Sequence, residues 1–592
     1  MSTFEEFEEK DYGKLNTHIL RRLLSLLKPH WRRVIGFLIC IALVSVFEAF
    51  TTYLSAQIID QGILAGSRAA IIRTITIYGG VMLLQAGFVF GFIYLTGVLG
   101  ERVRYDMRKN MFNHLQQLSL SYFSQTPVGW IMARLTSDTE RLADLMTWGL
   151  LDITWSIVNI ATAAVFMFII NPNLALIVLA MLPIMIVVAF RFRTRILYHY
   201  RRSRKMNSKI TGAFNEGITG VRVIKALSRE DDNLKEFGVL TDGMYEASYK
   251  AAWLSALFLP TVQMISAIGL GIVLWRGGLQ VQIGTMTVGG IQAFVSYLTF
   301  IMWPIQDLAR VYAQMQNAVA SAERIFNLVD TEPDVKNRSQ TVETETIEGD
   351  ILFDNVHFYY EENDPVIKGL TFQVKQGEMV ALVGPTGGGK TTIVNLLCRF
   401  YEPTQGTIYY HNVDYQDMKL KDIQSRIGMV LQTPHLFSGS VQENIRYGKL
   451  NATDDEVEAA AKLAGAHDFI KHFENGYQQD VGEGGNLLSV GQKQLISIAR
   501  AILAQPELFI MDEATSSVDT LTEALIQRGI DRLMDGRTSF VIAHRLSTIR
   551  QADLILVLDN GRIVERGQHA ELLARQGVYH RLYASQFKGS RL

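Results

Sequence analysis

The chain has 592 residues, 48% hydrophobic and only 19% charged, and its mean hydropathy is +0.13. That length exceeds the roughly 100–200 residues of one ordinary domain, and the apolar balance points to a chain that lies partly in a membrane. A formal net charge of −1 carries no polyanion-binding signature and makes nucleic acid a poor guess for a partner. Cys40 and Cys398 are far apart, each inside an apolar run, so they read as buried reduced thiols and not as a disulfide or metal site.

The acidic, polar residues through Lys14 show no cleavable signal peptide. From Asn16 to Lys28, Ile19, Leu20, Leu23, Leu24 and Leu27 recur at helical spacing beside Arg21, Arg22 and Lys28, which predicts an interfacial amphipathic helix. The alternative is a helix packed on the following domain. Six apolar spans follow: Val34–Leu54, Ile75–Leu99, Leu151–Ile170, Leu174–Phe190, Trp253–Trp275 and Val288–Ile305. Most approach the about 20 residues that cross hydrocarbon, and the Asn171-Pro172-Asn173 turn separates the third from the fourth.

Basic residues cluster before the first span (Arg21 to Arg33), after the second (Arg102 to Lys109) and after the fourth (Arg191 to Lys205). The alternate connections are poor in them, so the positive-inside rule places both termini in the cytoplasm. Two long polar connections, Glu101–Asp144 and Arg191–Lys250, read as cytoplasmic continuations of the spanning helices. Each contains a break, at Thr126-Pro127-Val128-Gly129 and at Gly217-Ile218-Thr219-Gly220. In-span polar residues are Glu48, Gln85, Asp152, Asn159, Gln263 and Gln292, and the carboxylates among them are functional candidates by default. Gln292, Thr299 and Gln306 share a helical face, with Phe294, Tyr297 and Trp303 adding aromatic surface. A greasy cavity with few fixed charges suits amphipathic drugs or lipids better than sugars or ions.

An acidic, Thr-rich stretch with Pro333 leads into a soluble α/β half. The expected domains are an N-terminal segment 1–33 with the interfacial helix, a six-span transmembrane domain 34–326 and a linker 327–349. A nucleotide-binding domain 350–592 completes the chain. The string Gly384-Pro385-Thr386-Gly387-Gly388-Gly389-Lys390-Thr391 follows the apolar run Met379–Val383 and opens a helical stretch. That context predicts a P-loop: a nest of backbone N–H groups for phosphates, Lys390 as a point charge and Thr391 as a magnesium ligand. Leu508–Met511 ends in Asp512-Glu513, the pattern by which nucleotide hydrolases hold magnesium and orient an attacking water. Phe540–Ala543 ends in His544, and Met429–Leu431 in Gln432; either residue alone is more often structural than catalytic.

With Leu488-Ser489-Val490-Gly491-Gln492, which resembles the signature sequence of ATP-binding-cassette (ABC) proteins, the whole chain resembles a half-transporter of the ABC exporter superfamily. It is most similar to bacterial multidrug and lipid exporters. The resemblance implies a multi-domain fold: an all-α six-helix transmembrane domain followed by an α/β P-loop ATPase domain with a helical signature subdomain. It implies ATP and Mg2+ as cofactors. Tyr360 would stack on adenine, and Gly384 to Gly389, Lys390, Thr391 and Thr392 would hold phosphates. Thr391, Gln432 and Asp512 would hold magnesium. Glu513 would be the catalytic base, with Gln432 and His544 sensing the γ-phosphate.

Ser489, Gly491, Gln492 and Asp519 would reach across a dimer interface to nucleotide, and Glu483 would contact the partner's coupling region. The two breaks would form coupling helices near Gln125–Met132 and Gly220–Ala226. Two positions depart from the family's pattern: Gly388 replaces a usual Ser, and Val490 replaces the first Gly of the signature, adding β-branched bulk. The implied function is ATP-driven export of amphipathic drugs or lipids across a bacterial cell membrane. A lipid flippase, or an ATP-gated channel or regulator on the same frame, is the alternative. The partner is a second half-transporter, a heterodimer being favoured over a homodimer. A peptide-processing exporter is disfavoured by the short stretch before the first span.

Overall fold

The computed structural model describes residues 17–587 except 363, 513–519 and 544. It divides into two compact units: the described residues through Gln116 with Val128–Thr331, and Gln117–Pro127 with Glu332 onward.

The first unit is all helical. Trp31–Gln57, Arg68–Leu115, Pro172–Thr219 and Glu230–Gln282 are long helices, and a helical path runs from Val128 to Ile170 through π-helical turns at Arg134–Asp138 and Leu145–Gly149. Five of these paths are long and apolar enough to cross a bilayer. The sixth expected span lies in the shorter apolar part, Val288–Pro304, of the helix Val288–Asp330. At 1.5 Å per residue, 43 residues give roughly 65 Å, twice the hydrocarbon thickness, so the helix continues well beyond a bilayer. Met167, Met185, Val273, Phe294, Tyr297 and Ile301 close the helical core, while Leu83, Phe90, Ile157 and Val187 remain exposed on the outer faces. Apolar outside as well as inside is what a lipid solvent demands.

The junction at Asn171 is tighter than a turn. Asn171 Oδ1 accepts from Leu174 N at 3.0 Å and caps the next helix, whose first residue is Pro172, where the missing N–H costs nothing. The N-terminal helix, Thr17–Leu26, has its apolar stripe covered by protein: Ile19, Leu23 and Leu27 are buried, while Leu24 is exposed. Arg22 fixes it, pairing with both carboxylate oxygens of Asp330 at 2.6 and 2.8 Å and lying 4.1 Å over the Phe326 ring.

The first break corrects the expected helix Gln125–Met132. Two short helices, Leu120–Gln125 and Val128–Ala133, flank Pro127, because Pro127 has no N–H and holds Thr126 in an extended conformation. The second break gives Val221–Ala226, within the expected range Gly220–Ala226.

The second unit is α/β. Strands β1 (Ile351–Tyr359), β2 (Pro365–Val374), β4 (Gln405–Tyr410) and β5 (Val413–Asp414) form an antiparallel sheet in the order β2-β1-β4-β5. Strands β3 (Met379–Val383), β6 (Ile427–Val430), β7 (Leu508–Asp512), β8 (Thr538–Ile542), β9 (Leu554–Asp559) and β10 (Arg562–Gly567) form the second, ordered β10-β9-β3-β8-β7-β6. All its pairs are parallel except β9–β10. Alternate residues of β3 enter different cores: Val380 and Leu382 join one, Ala381 and Val383 the other. Burial on both faces explains the uninterrupted apolar runs.

Candidate nucleotide site

The parallel register gathers the expected site at one edge. Asp512 lies level with Ile542 of β8, Ile542 with Leu382 of β3, and Val430 of β6 with Met511 of β7. The phosphate loop after Val383, Asp512 at the end of β7 and Gln432 just beyond β6 therefore emerge from the carboxyl ends of neighbouring strands. That edge is where open α/β sheets bind ligands. Glu513 and His544 follow Asp512 and Ala543 in sequence; with Asp519 they lie outside the described residues.

The loop is built for backbone approach. Gly384, Gly387 and Gly389 have φ of 156°, 80° and 97°, a region side chains rarely adopt. A Cβ at Gly384 would sit 2.2 Å from the Leu558 carbonyl oxygen. Gly388 is different: its φ is ordinary, and a Cβ there would meet Pro385 O at 3.1 Å and Leu558 O at 3.3 Å, so the absent Ser relieves a tight contact. Lys390 Nζ donates to the carbonyls of Gly384 and Pro385, both at 2.8 Å, holding a cation across the mouth of the loop. Burial lowers the Lys390 pKa, and the Asp512 carboxylate opposes the shift. A glycine cradle, a cation across it and a half-buried carboxylate beside it fit a polyphosphate with a divalent metal.

Tyr360 is partly exposed. Its hydroxyl donates to Thr392 Oγ1 at 3.2 Å and accepts from Asn395 Nδ2 at 3.3 Å, which ties the ring to the helix Lys390–Leu397 that opens at the phosphate loop. Phe358 and Tyr401 meet it edge-on, with centroids 4.8 and 5.1 Å away. A cavity of about 760 Å³ opens there, lined by Tyr359, Tyr360, Asn395 and Tyr401 and by Phe123 and Ser124 of the 117–127 segment. Tyr401 was not anticipated; the aromatic pair Phe400-Tyr401 after that helix was its only signal.

Ser489 caps the helix Val490–Ala504 in a reciprocal box, its Oγ accepting from Gln492 N at 3.3 Å and Gln492 Oε1 accepting from Ser489 N at 3.0 Å. Gly491 is buried, whereas Leu487 and Val490 are 66% and 50% exposed. Val490 occupies the first helical position, so its branched side chain projects outward beside a helix N-terminus. Glu483 is exposed in the turn ahead of it.

Among in-span residues, Glu48 accepts from Asn159 Nδ2 at 3.2 Å. Asp152 is half-buried and lines a cavity of about 480 Å³ with Trp148, Gln314 and Asn317. Gln263 is exposed, and Gln292 donates to Ser296 Oγ at 3.2 Å. Phe294 and Tyr297 do not add aromatic surface to a cavity: both are fully buried, and Tyr297 donates to the Ala49 carbonyl at 2.7 Å. Trp303 is exposed, and the Gln306 side chain lies outside the described set.

Comparison with known proteins gives two family-model matches: the ABC transporter transmembrane region over residues 34–305 and ABC transporter over residues 367–516. The chain is 40% identical to a fatty acid ABC transporter ATP-binding/permease protein of Mycobacterium tuberculosis, over 87% of this chain and 81% of the relative. It is 34% identical to an ATP-dependent lipid A-core flippase of Syntrophus aciditrophicus, over 97% and 96%. It is 36% identical to a probable multidrug resistance ABC transporter ATP-binding/permease protein of Bacillus subtilis, over 86% and 76%.

Proposed function

The chain belongs to the ABC transporter family, with transmembrane region and ATPase fused in one polypeptide, and from that premise we propose that it exports amphipathic or hydrophobic compounds from a bacterial cytoplasm as one half of a dimer. It is an integral membrane ATPase translocase. The observation that carries the dimer is the outward presentation of the signature helix. A capped helix N-terminus with Leu487 and Val490 exposed beside it is a surface that wants a partner, and anionic phosphate is its natural ligand.

In this reading Gly384 to Gly389, Lys390, Thr391 and Thr392 hold the phosphates, and Tyr360 stacks on the adenine. Thr391, Gln432 and Asp512 hold Mg2+, which when bound neutralises phosphate charge. Glu513 takes up the proton of an attacking water; His544 and Gln432 detect the γ-phosphate. Ser489, Gly491, Gln492 and Asp519 reach nucleotide held by the partner, with Glu483 near the partner's transmembrane region. Because those contacts exist only when two nucleotide domains close, ATP favours the closed state by its differential affinity.

Val490 supports a heterodimer. The side chain adds bulk at the first turn of the signature helix, while the chain keeps Lys390, Asp512 and Glu513. Its hydrolytic side would pair with a regular signature on the partner, and its own signature would face a site that mainly holds ATP. Expressing the chain alone tests this: a stable homodimer with drug-stimulated ATPase and transport would overturn the heterodimer, and activity only with a second half-transporter would support it.

A further inference from the structure

Glu48 stands on the protein-facing side of the helix Trp31–Gln57. It shares that side with the buried Phe37, Ile41 and Val44, and the exposed Ile35, Ile39 and Val46 are opposite. A carboxylate inside a span is retained only when something compensates it. Here the compensation is incomplete. Asn159 Nδ2 donates to Oε2 at 3.2 Å, and the Trp155 indole, one turn before Asn159 on the same helix, lies beside the carboxylate, but both groups are neutral. Among the described residues no Lys or Arg forms an ion pair with Glu48.

The second observation lies on the same amide. Asn159 is 4% exposed, and its Oδ1 is fully buried with no hydrogen-bond donor. A buried acceptor with no donor in the protein is open to an N–H or O–H brought by a ligand or by water. Two oxygen acceptors on adjacent helices, one of them charged, are thus flanked by the Trp155 ring. Further along the same two helices Phe50 and Tyr53 stack at 6.5 Å between centroids, and Phe166 meets both in tilted contacts at 6.4 and 5.9 Å. Carboxylate, amide oxygen and aromatic faces together form an acceptor for a cation on an apolar body.

We propose that Glu48, Asn159 and Trp155 form a subsite that takes the positively charged head of a lipophilic cation, so that the exported class is cationic amphipaths and not fatty acids or anionic lipids. The proposal rests on the export reading above. A positive head would neutralise the carboxylate, a quaternary centre would lie against the indole face, and an ammonium would also donate to Asn159 Oδ1. An anionic head would instead meet Glu48 without a counter-charge.

Tetraphenylphosphonium and tetraphenylborate have nearly the same shape and opposite charge, so they isolate this term. Binding of each is measured by equilibrium dialysis on the full chain in nanodiscs, together with its obligate partner if one is required, after subtraction of uptake by protein-free nanodiscs of the same lipid, since the bilayer dipole potential itself favours the borate. The expected result is tighter binding of the phosphonium, with Glu48→Gln weakening it by about tenfold or more and leaving the borate unchanged. Asn159→Leu should weaken an ammonium probe. Equal or tighter binding of the borate by the unmodified protein, or a folded Glu48→Gln protein that holds the phosphonium as before, overturns the subsite. If Glu48→Gln fails to fold, the comparison of the two ions on the unmodified protein decides alone. The export reading fails separately: ATP would then move neither ion nor a neutral lipophilic dye, whatever the binding preference.

Discussion

Lys390 donates to two carbonyls of its own loop, and an arriving phosphate oxygen would replace those acceptors with a stronger, charged one. Lys390→Met is therefore expected to abolish nucleotide binding, read by a fluorescent ATP analogue. Glu513→Gln should leave that binding intact and lower Mg2+-dependent hydrolysis by orders of magnitude, since in the proposed mechanism it removes only the acceptor for the attacking water's proton. Near-normal turnover of the Gln variant would remove Glu513 from the mechanism. A third expectation concerns Asp138, which is buried below the third span and accepts from Ser321 Oγ at 2.9 Å and from Arg324 at 2.6 and 2.8 Å. Burial alone would raise its pKa, but the Arg324 bonds and charge, with Ser321 and Arg141, outweigh burial and hold it below the ordinary value. A carboxylate depressed in this way stabilises the fold above its unfolded pKa of about 3.9, and the contribution is lost as pH falls through the folded value. Because Arg324 is partly exposed, Arg324→Met should cost about 1–3 kcal/mol, measured as a lower thermal midpoint at pH 7 that narrows in acid. At this scale the phosphate loop and Asp512 were legible because backbone geometry and strand register demand particular residues at particular spacings. The Asp138–Arg324 pair was not, since its two halves come from distant helices and no local pattern joins them.

Helices and strands were legible wherever one rule dominated. Uninterrupted apolar runs marked the buried strands, and length marked the spans. Where two rules competed the sequence left more open. The 16–28 stripe is amphipathic whichever surface covers it, and only the packed structure shows protein against Ile19, Leu23 and Leu27. At Thr126-Pro127 the break was plain but the helix could be placed on either side; the backbone puts Leu120–Gln125 before it and Val128–Ala133 after it. The signature helix carries its own prediction. Ser489→Ala removes one half of the capping box and should cost about 1 kcal/mol of local stability. If the capped end reaches the partner's nucleotide, ATPase should fall well beyond what that loss explains, with binding at Tyr360 and Lys390 preserved. Wild-type turnover in this variant would confine Ser489 to a structural role.

For the whole molecule, the family assignment establishes an ATP-dependent membrane transporter, while cargo, partner and direction are proposals with separate tests. We propose that the termini and the nucleotide domain face the cytoplasm, the orientation that the positive-inside rule predicts from the basic clusters at Arg21–Arg33, Arg102–Lys109 and Arg191–Lys205. Single cysteines introduced at Arg68 and at Ser203, in a background with Cys40 and Cys398 replaced, should be labelled by an impermeant maleimide from outside and from inside respectively. Export itself is tested most directly in proteoliposomes holding this chain with its partner. ATP and Mg2+ are added outside and uptake of a fluorescent amphiphile is followed with the native Glu513 and with Glu513→Gln. We expect accumulation against a gradient that requires ATP and disappears in the Gln variant. Equilibration without accumulation, or uptake that persists when hydrolysis is abolished, would contradict ATP-driven export and point to a gated channel.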